Sequence, residues 1–142
     1  MVDRLSINAR SRLMSRVRAR DTEPELVVRR ALHAAGFRFR LHRSDLRGRP
    51  DVVLPRFYTA VFVHGCFWHG HSCKRGKLPQ TNEAFWASKI ARNRQRDSEA
   101  TTALVADGWR VVTIWQCDLN AGISELLTDL DRLRAAVRLA TT

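Results

Sequence analysis

One stretch, Val61-Phe62-Val63-His64-Gly65-Cys66-Phe67-Trp68-His69-Gly70-His71-Ser72-Cys73, limits what this chain can become. An apolar run stops abruptly in histidines, cysteines and adjacent aromatics. Three of the five histidines and two of the three cysteines fall between His64 and Cys73, a density that packing alone does not explain. The run reads as a buried strand, and the residues after it as a site built at the strand's end.

The neighbouring pattern gives that strand a partner. Asp51-Val52-Val53-Leu54 and Tyr58-Thr59-Ala60-Val61-Phe62-Val63 are apolar and β-branched, separated by Pro55-Arg56-Phe57, and predict a hairpin of buried strands. With its turn near Arg56, Asp51 lies opposite Val61 to Val63, and His64 falls just beyond on the same sheet edge. An acid opening one strand thus meets a histidine closing the other.

Upstream, Thr22-Glu23-Pro24-Glu25 is a capping box with proline in the first turn, so a helix starts at Thr22 and ends at Gly36. Glu25 serves as the box acid, or as a carboxylate near an active site. Phe37 to His42 alternates as a half-buried strand, and residues 43 to 50 form a loop. Beyond the basic loop 74 to 81, a helix is expected over 82 to 106, a strand over 109 to 115 and a packing helix from Ile123 to about Leu139. The order helix, three strands, helix, strand, helix makes an α/β chain. Its 142 residues suit one domain: a basic arm (1 to 20), a catalytic core (21 to 120) and a C-terminal packing helix (121 to 142).

Charge narrows the partner. Lys and Arg number 25 against 14 Asp and Glu, a net charge of +11, which favours a polyanion and nucleic acid first. A membrane partner is not expected: there is no Lys-rich amphipathic helix, lipidation signal, secretory h-region or spanning segment, and the cytoplasm is the expected compartment. The arm, with Arg12 and Arg16 among its six arginines, is a solvated terminus or a segment that orders on DNA. Lys89, Arg92, Arg94 and Arg96 are, in the plainest reading, a solvated helix face.

Two chemistries share the central stretch. Cys66-x4-His71-x-Cys73 supplies three ligands for a structural zinc, and Cys117, just past the last strand, is the natural fourth. By spacing alone His69 serves as well as His71. Asp51, with His64 and His69, offers a carboxylate for Mg²⁺ and imidazoles able to move protons, the two needs of phosphodiester hydrolysis. Phe67-Trp68 suit stacking on bases or wedging between them, with Trp86 a weaker candidate.

These residues, with Gly48-Arg49-Pro50-Asp51 before them and Phe85-Trp86, Gly108-Trp109-Arg110-Val111 and Trp115-Gln116-Cys117 after, resemble the very-short-patch repair (Vsr) endonuclease family from about Arg10 to Asn120. The resemblance implies a restriction-endonuclease-like core. It implies a Mg²⁺-dependent nick 5′ of the thymine in a T:G mismatch, such as arises when 5-methylcytosine deaminates. Asp51 would bind Mg²⁺ with the main-chain carbonyl of Val63, which stands where the family commonly has threonine. His64, His69 and Glu25 would assist hydrolysis. Zinc goes to Cys66, His71, Cys73 and Cys117, leaving His69 free. Phe67, Trp68 and Trp86 would wedge into the duplex, and Lys89, Arg12 and Arg16 would contact DNA. The protein is expected to act as a monomer on double-stranded DNA, on the nucleoid when bound, with mismatch-repair proteins of the host as further partners. The competing readings are a restriction-type nuclease cutting both strands and a zinc-stabilised DNA-binding module without catalysis.

Overall fold

The computed structural model describes residues 21 to 141, and the arm with Arg12 and Arg16 lies outside them. Helix α1 (Glu23–Ala34) leads to strands β1 (Arg40–Leu41), β2 (Val52–Leu54) and β3 (Thr59–His64). Helix α2 (Glu83–Ala106), strand β4 (Arg110–Trp115) and helix α3 (Leu119–Thr141) follow. The four strands form one mixed sheet in the order β1-β2-β3-β4. β1, β2 and β3 are antiparallel neighbours, and β4 runs parallel to β3.

Every residue of β3 is buried, as its unbroken apolar run requires of a strand flanked on both edges and covered on both faces. Its alternation divides the core. Val61 and Val63 pack with Val28 and Leu32 of α1 and with Ile123, Leu126 and Leu130 of α3. Ala60 and Phe62 pack with Leu104 of α2. His64 follows in the parity of Phe62, with ring centroids 5.7 Å apart, and so belongs to the α2 side of the sheet.

The capping box at α1 is formed as expected. Thr22 Oγ1 accepts from Glu25 N–H at 3.4 Å, and Glu25 Oε2 accepts from Thr22 N–H at 3.2 Å. The expected strand 37 to 42 is much shorter. Only Arg40–Leu41 pair with β2, because Phe37 and Phe39 turn into the core and His42 takes a positive φ of 47°. The last helix starts four residues earlier than expected, at Leu119. Gly122, a residue type that usually interrupts helices, lies against β4 instead: a Cβ there would stand 2.9 Å from Ile114 Cγ2.

Candidate active site and metal centre

The β2–β3 register, Val52 with Val61, brings Asp51 beside the end of β3. Asp51 Oδ2 accepts from Val63 N–H at 2.7 Å, which locks the acid against the residue before His64. Gly48 and Pro50 lead into it. Gly48 has φ +77°, and a Cβ there would meet Ala100 Cβ at 2.6 Å, so this loop lies directly on α2.

Glu25, only 2% exposed, is within hydrogen-bonding reach of Asp51. It thus closes the capping box and also stands beside Asp51. Burial first, and the Glu25 carboxyl second, push Asp51 up to about 8, against the pull of the Val63 N–H and the Arg29 charge. Two carboxyls pressed together out of water can ionise together only with a cation between them. A divalent ion fits this donor set.

The histidines follow at the end of β3, where His64 is its last residue. His64 and His69 stack with ring centroids 3.7 Å apart and planes 3° from parallel. Burial, and then the neighbouring His69, hold His64 down at about 4, so it is neutral near pH 7, and its buried Nδ1 has no partner. His69 Nδ1 lies 2.5 Å from Asp97 Oδ2. Sequence reasoning missed Asp97, although a signal existed. Lys89, Asn93 and Asp97 recur every four residues along α2 and share one helix face. Lys89 Nζ lies 5.3 Å from the Trp68 ring centroid, Asn93 Nδ2 donates to Trp68 O at 3.0 Å, and Asp97 takes His69. Read as a charge run, the helix showed its cations and hid this acid.

Cys66, His71, Cys73 and Cys117 each offer a ligand atom within 4.8 Å of the others. Cys117 Sγ and His71 Nδ1 are 3.4 Å apart, close to the edge of a zinc tetrahedron with bonds of about 2.0 to 2.3 Å. His71 beside it draws Cys73 down to about 6, whereas lost hydration and the crowding thiols push Cys117 up to about 11. Such thiols ionise together only around a cation, so the donor set fits a soft divalent metal. His69 is not in this cluster. Spacing could not choose between the two histidines, but here His71 faces the thiols and His69 faces His64. Trp115 stands by both groups, stacked on His71 at 4.2 Å and edge-on to His64 at 5.1 Å.

Phe67 and Trp68 are half-buried in the loop after β3 and pack edge-to-face, 5.2 Å apart. Trp86 lies beneath them, 1% exposed, with Phe67 at 5.6 Å and Trp68 at 6.2 Å. Trp86 is thus the floor of the aromatic cluster rather than an open ring.

An α/β sheet that ends in a partly buried acid pair, a stacked histidine pair and a thiol-imidazole cluster, on a strongly basic chain, has the equipment of a nuclease. Comparison with known proteins supplies the family. The family model described as DNA mismatch endonuclease Vsr matches residues 2–75. The Type II nicking enzyme V.XorIIP of Xanthomonas oryzae pv. oryzae is 49% identical over 138 residues, 97% of this chain and 96% of that protein. The DNA mismatch endonuclease Vsr of Escherichia coli K12 is 40% identical over 120 residues, 84% of this chain and 76% of that one. Type II nicking enzyme V.NmeAIP of Neisseria meningitidis is 41% identical over 120 residues, 84% and 86% of the two chains. The chain belongs to the Vsr family of DNA endonucleases. No helix among the described residues is long and apolar enough to cross a membrane.

Proposed function

We propose that this protein nicks double-stranded DNA 5′ of the thymine in a T:G mismatch, by Mg²⁺-dependent hydrolysis, and so starts very-short-patch repair. The observation that carries the reading is the juxtaposition at the end of β3: Asp51 anchored on Val63 N–H, Glu25 beside it, and the His64–His69 stack one residue further on. Its setting is a family whose E. coli relative is named a mismatch endonuclease.

Mg²⁺ would be held by Asp51 and the Val63 carbonyl, and when bound supplies positive charge beside the scissile phosphate. Everything else falls to the chain. Glu25 keeps the acid pair in register. Asp97 occupies Nδ1 of His69, which leaves Nε2 as the atom that exchanges a proton at the reacting centre. His64, neutral at working pH, stacks against His69 and limits its rotation. A structural zinc on Cys66, His71, Cys73 and Cys117 ties the loop after β3 to the end of β4. Phe67 and Trp68, with Trp86 as their base and Lys89 above, open the duplex at the mismatch. Arg12 and Arg16 of the arm add phosphate contacts. The core is of the restriction-endonuclease type, and the protein works on nucleoid DNA in the cytoplasm as a single-domain monomer, with host mismatch-repair proteins as further partners.

The test is a panel of T:G duplexes with varied flanking bases, each strand end-labelled separately, with Mg²⁺. Cleavage is expected on the thymine strand alone. Equal cleavage of a matched duplex would sink the mismatch reading, and supercoiled plasmid passing directly to linear would favour double-strand cutting.

A further inference from the structure

A second donor set shares Glu25 with the Asp51 centre. Asp21, Glu25 and His42 each present one ligand atom within 4.8 Å of the others, two carboxylates and an imidazole, a combination suited to divalent ions. Its middle is taken by one nitrogen. Arg29 Nη2 lies 2.7 Å from Asp21 Oδ1, 3.4 Å from Glu25 Oε2 and 3.0 Å from His42 Nε2, which accepts in the tautomer protonated at Nδ1. The Arg29 side chain is only 14% exposed, so its charge is held in place rather than dispersed in solvent. The set joins three elements, the turn before α1, α1 itself and the end of β1, whose His42 N–H reaches the Asp51 carbonyl at 3.4 Å.

The site needs such a cation. Glu25 is buried against a second carboxyl, and a carboxylate out of water is costly unless paired. We propose that Arg29 is a resident cation and positioning residue of this centre: its guanidinium fills a three-donor cage that shares Glu25 with Asp51 and supplies fixed positive charge there. This rests on the reading of Asp51 as the divalent-ion centre. Arg29 keeps the cage closed to metal and fixes the Glu25 carboxyl.

Direct Mn²⁺ binding by electron paramagnetic resonance, on zinc-loaded full-length protein without DNA, tests it. Wild type is expected to bind one Mn²⁺ per chain, Arg29→Ala one more, and Arg29→Lys, which keeps the charge, the wild-type number. The Arg29→Ala, His42→Ala double variant is expected to lose the added ion. In Mg²⁺ the nicking rate of Arg29→Ala at saturating duplex falls about tenfold with an unchanged KM, and Mn²⁺ restores it, because manganese accepts an imidazole ligand more readily. A folded, zinc-loaded Arg29→Ala protein that binds the wild-type number of Mn²⁺ ions overturns the assignment. Should that variant not fold, Arg29→Gln is read by the same criterion. Asp51→Asn separates the two readings. If it keeps the wild-type ion, the Asp51 centre is wrong; if it loses the ion while Arg29→Ala gains none, only the Arg29 assignment fails.

Discussion

Asp51 carries the most consequential electrostatics in the molecule. Its carboxyl is pushed up to about 8 in the fold, against 3.8 as the ordinary value, so between those pH values the metal-free native state holds a proton that the unfolded chain has released. The stability this contributes is complete below about pH 4 and is lost as pH rises through 8. His64 acts in another window. Held down at about 4 against 6.5, it contributes stability above pH 6.5 that is lost as pH falls towards 4. Denaturant melts in Mg²⁺-free buffer at pH 6.5 and pH 8 therefore isolate the acid. Wild type is expected to lose about 2 kcal/mol more than Asp51→Asn over that interval, and Mg²⁺ to restore stability to wild type alone. Equal losses in the two proteins would show that Asp51 is not protonated in the fold. The partner of His69 is the other residue-scale test. Asp97→Asn removes the group that orients the imidazole, so nicking is expected to fall roughly tenfold to a hundredfold with zinc content and melting temperature unchanged. Full activity in that variant would make the contact incidental.

The loop before β2 and the turn after β4 place the site, and each has a weak point. Gly48→Ala adds a methyl 2.6 Å from Ala100 Cβ at a positive φ, so the loop must lift from α2. A loss of about 1–3 kcal/mol in thermal or urea unfolding is expected, with weaker nicking because Asp51 moves too. Cys117 ties β4 to the loop after β3. Cys117→Ala is expected to release zinc to a chromogenic chelator and to lower stability by several kcal/mol; retention of one tight zinc at the wild-type melting temperature would show that the cluster needs no fourth thiolate. These devices were legible to different degrees. The order of helices and strands followed from local periodicity, and the Asp51–Val63 contact from hairpin register, because both depend on neighbours in sequence. The parallel pairing of β3 with β4 did not follow, nor did Asp97 at His69, since both are set by where α2 crosses the sheet. The short β1 had a further cause: alternation marks which side chains are apolar, but the core drew Phe37 and Phe39 out of the ladder.

At the scale of the whole molecule, a net charge of +11 does work that the buried site does not. Glu25 and His64 are buried, whereas Arg92 and Arg96 are exposed on α2, one turn apart and flanking the face formed by Lys89, Asn93 and Asp97. Binding and chemistry should therefore separate in salt. With about five phosphates neutralised, affinity for a T:G duplex is expected to fall roughly two to three orders of magnitude between 50 and 200 mM salt. The single-turnover nicking rate at saturating protein should change little, because its electrostatics act at short range. Replacing Arg92 and Arg96 together with alanine should reduce the slope of log Kd against log salt by about two and leave that rate intact. An unchanged slope would move the duplex off this helix face. A collapse of the single-turnover rate would mean that these cations reach the scissile phosphate itself.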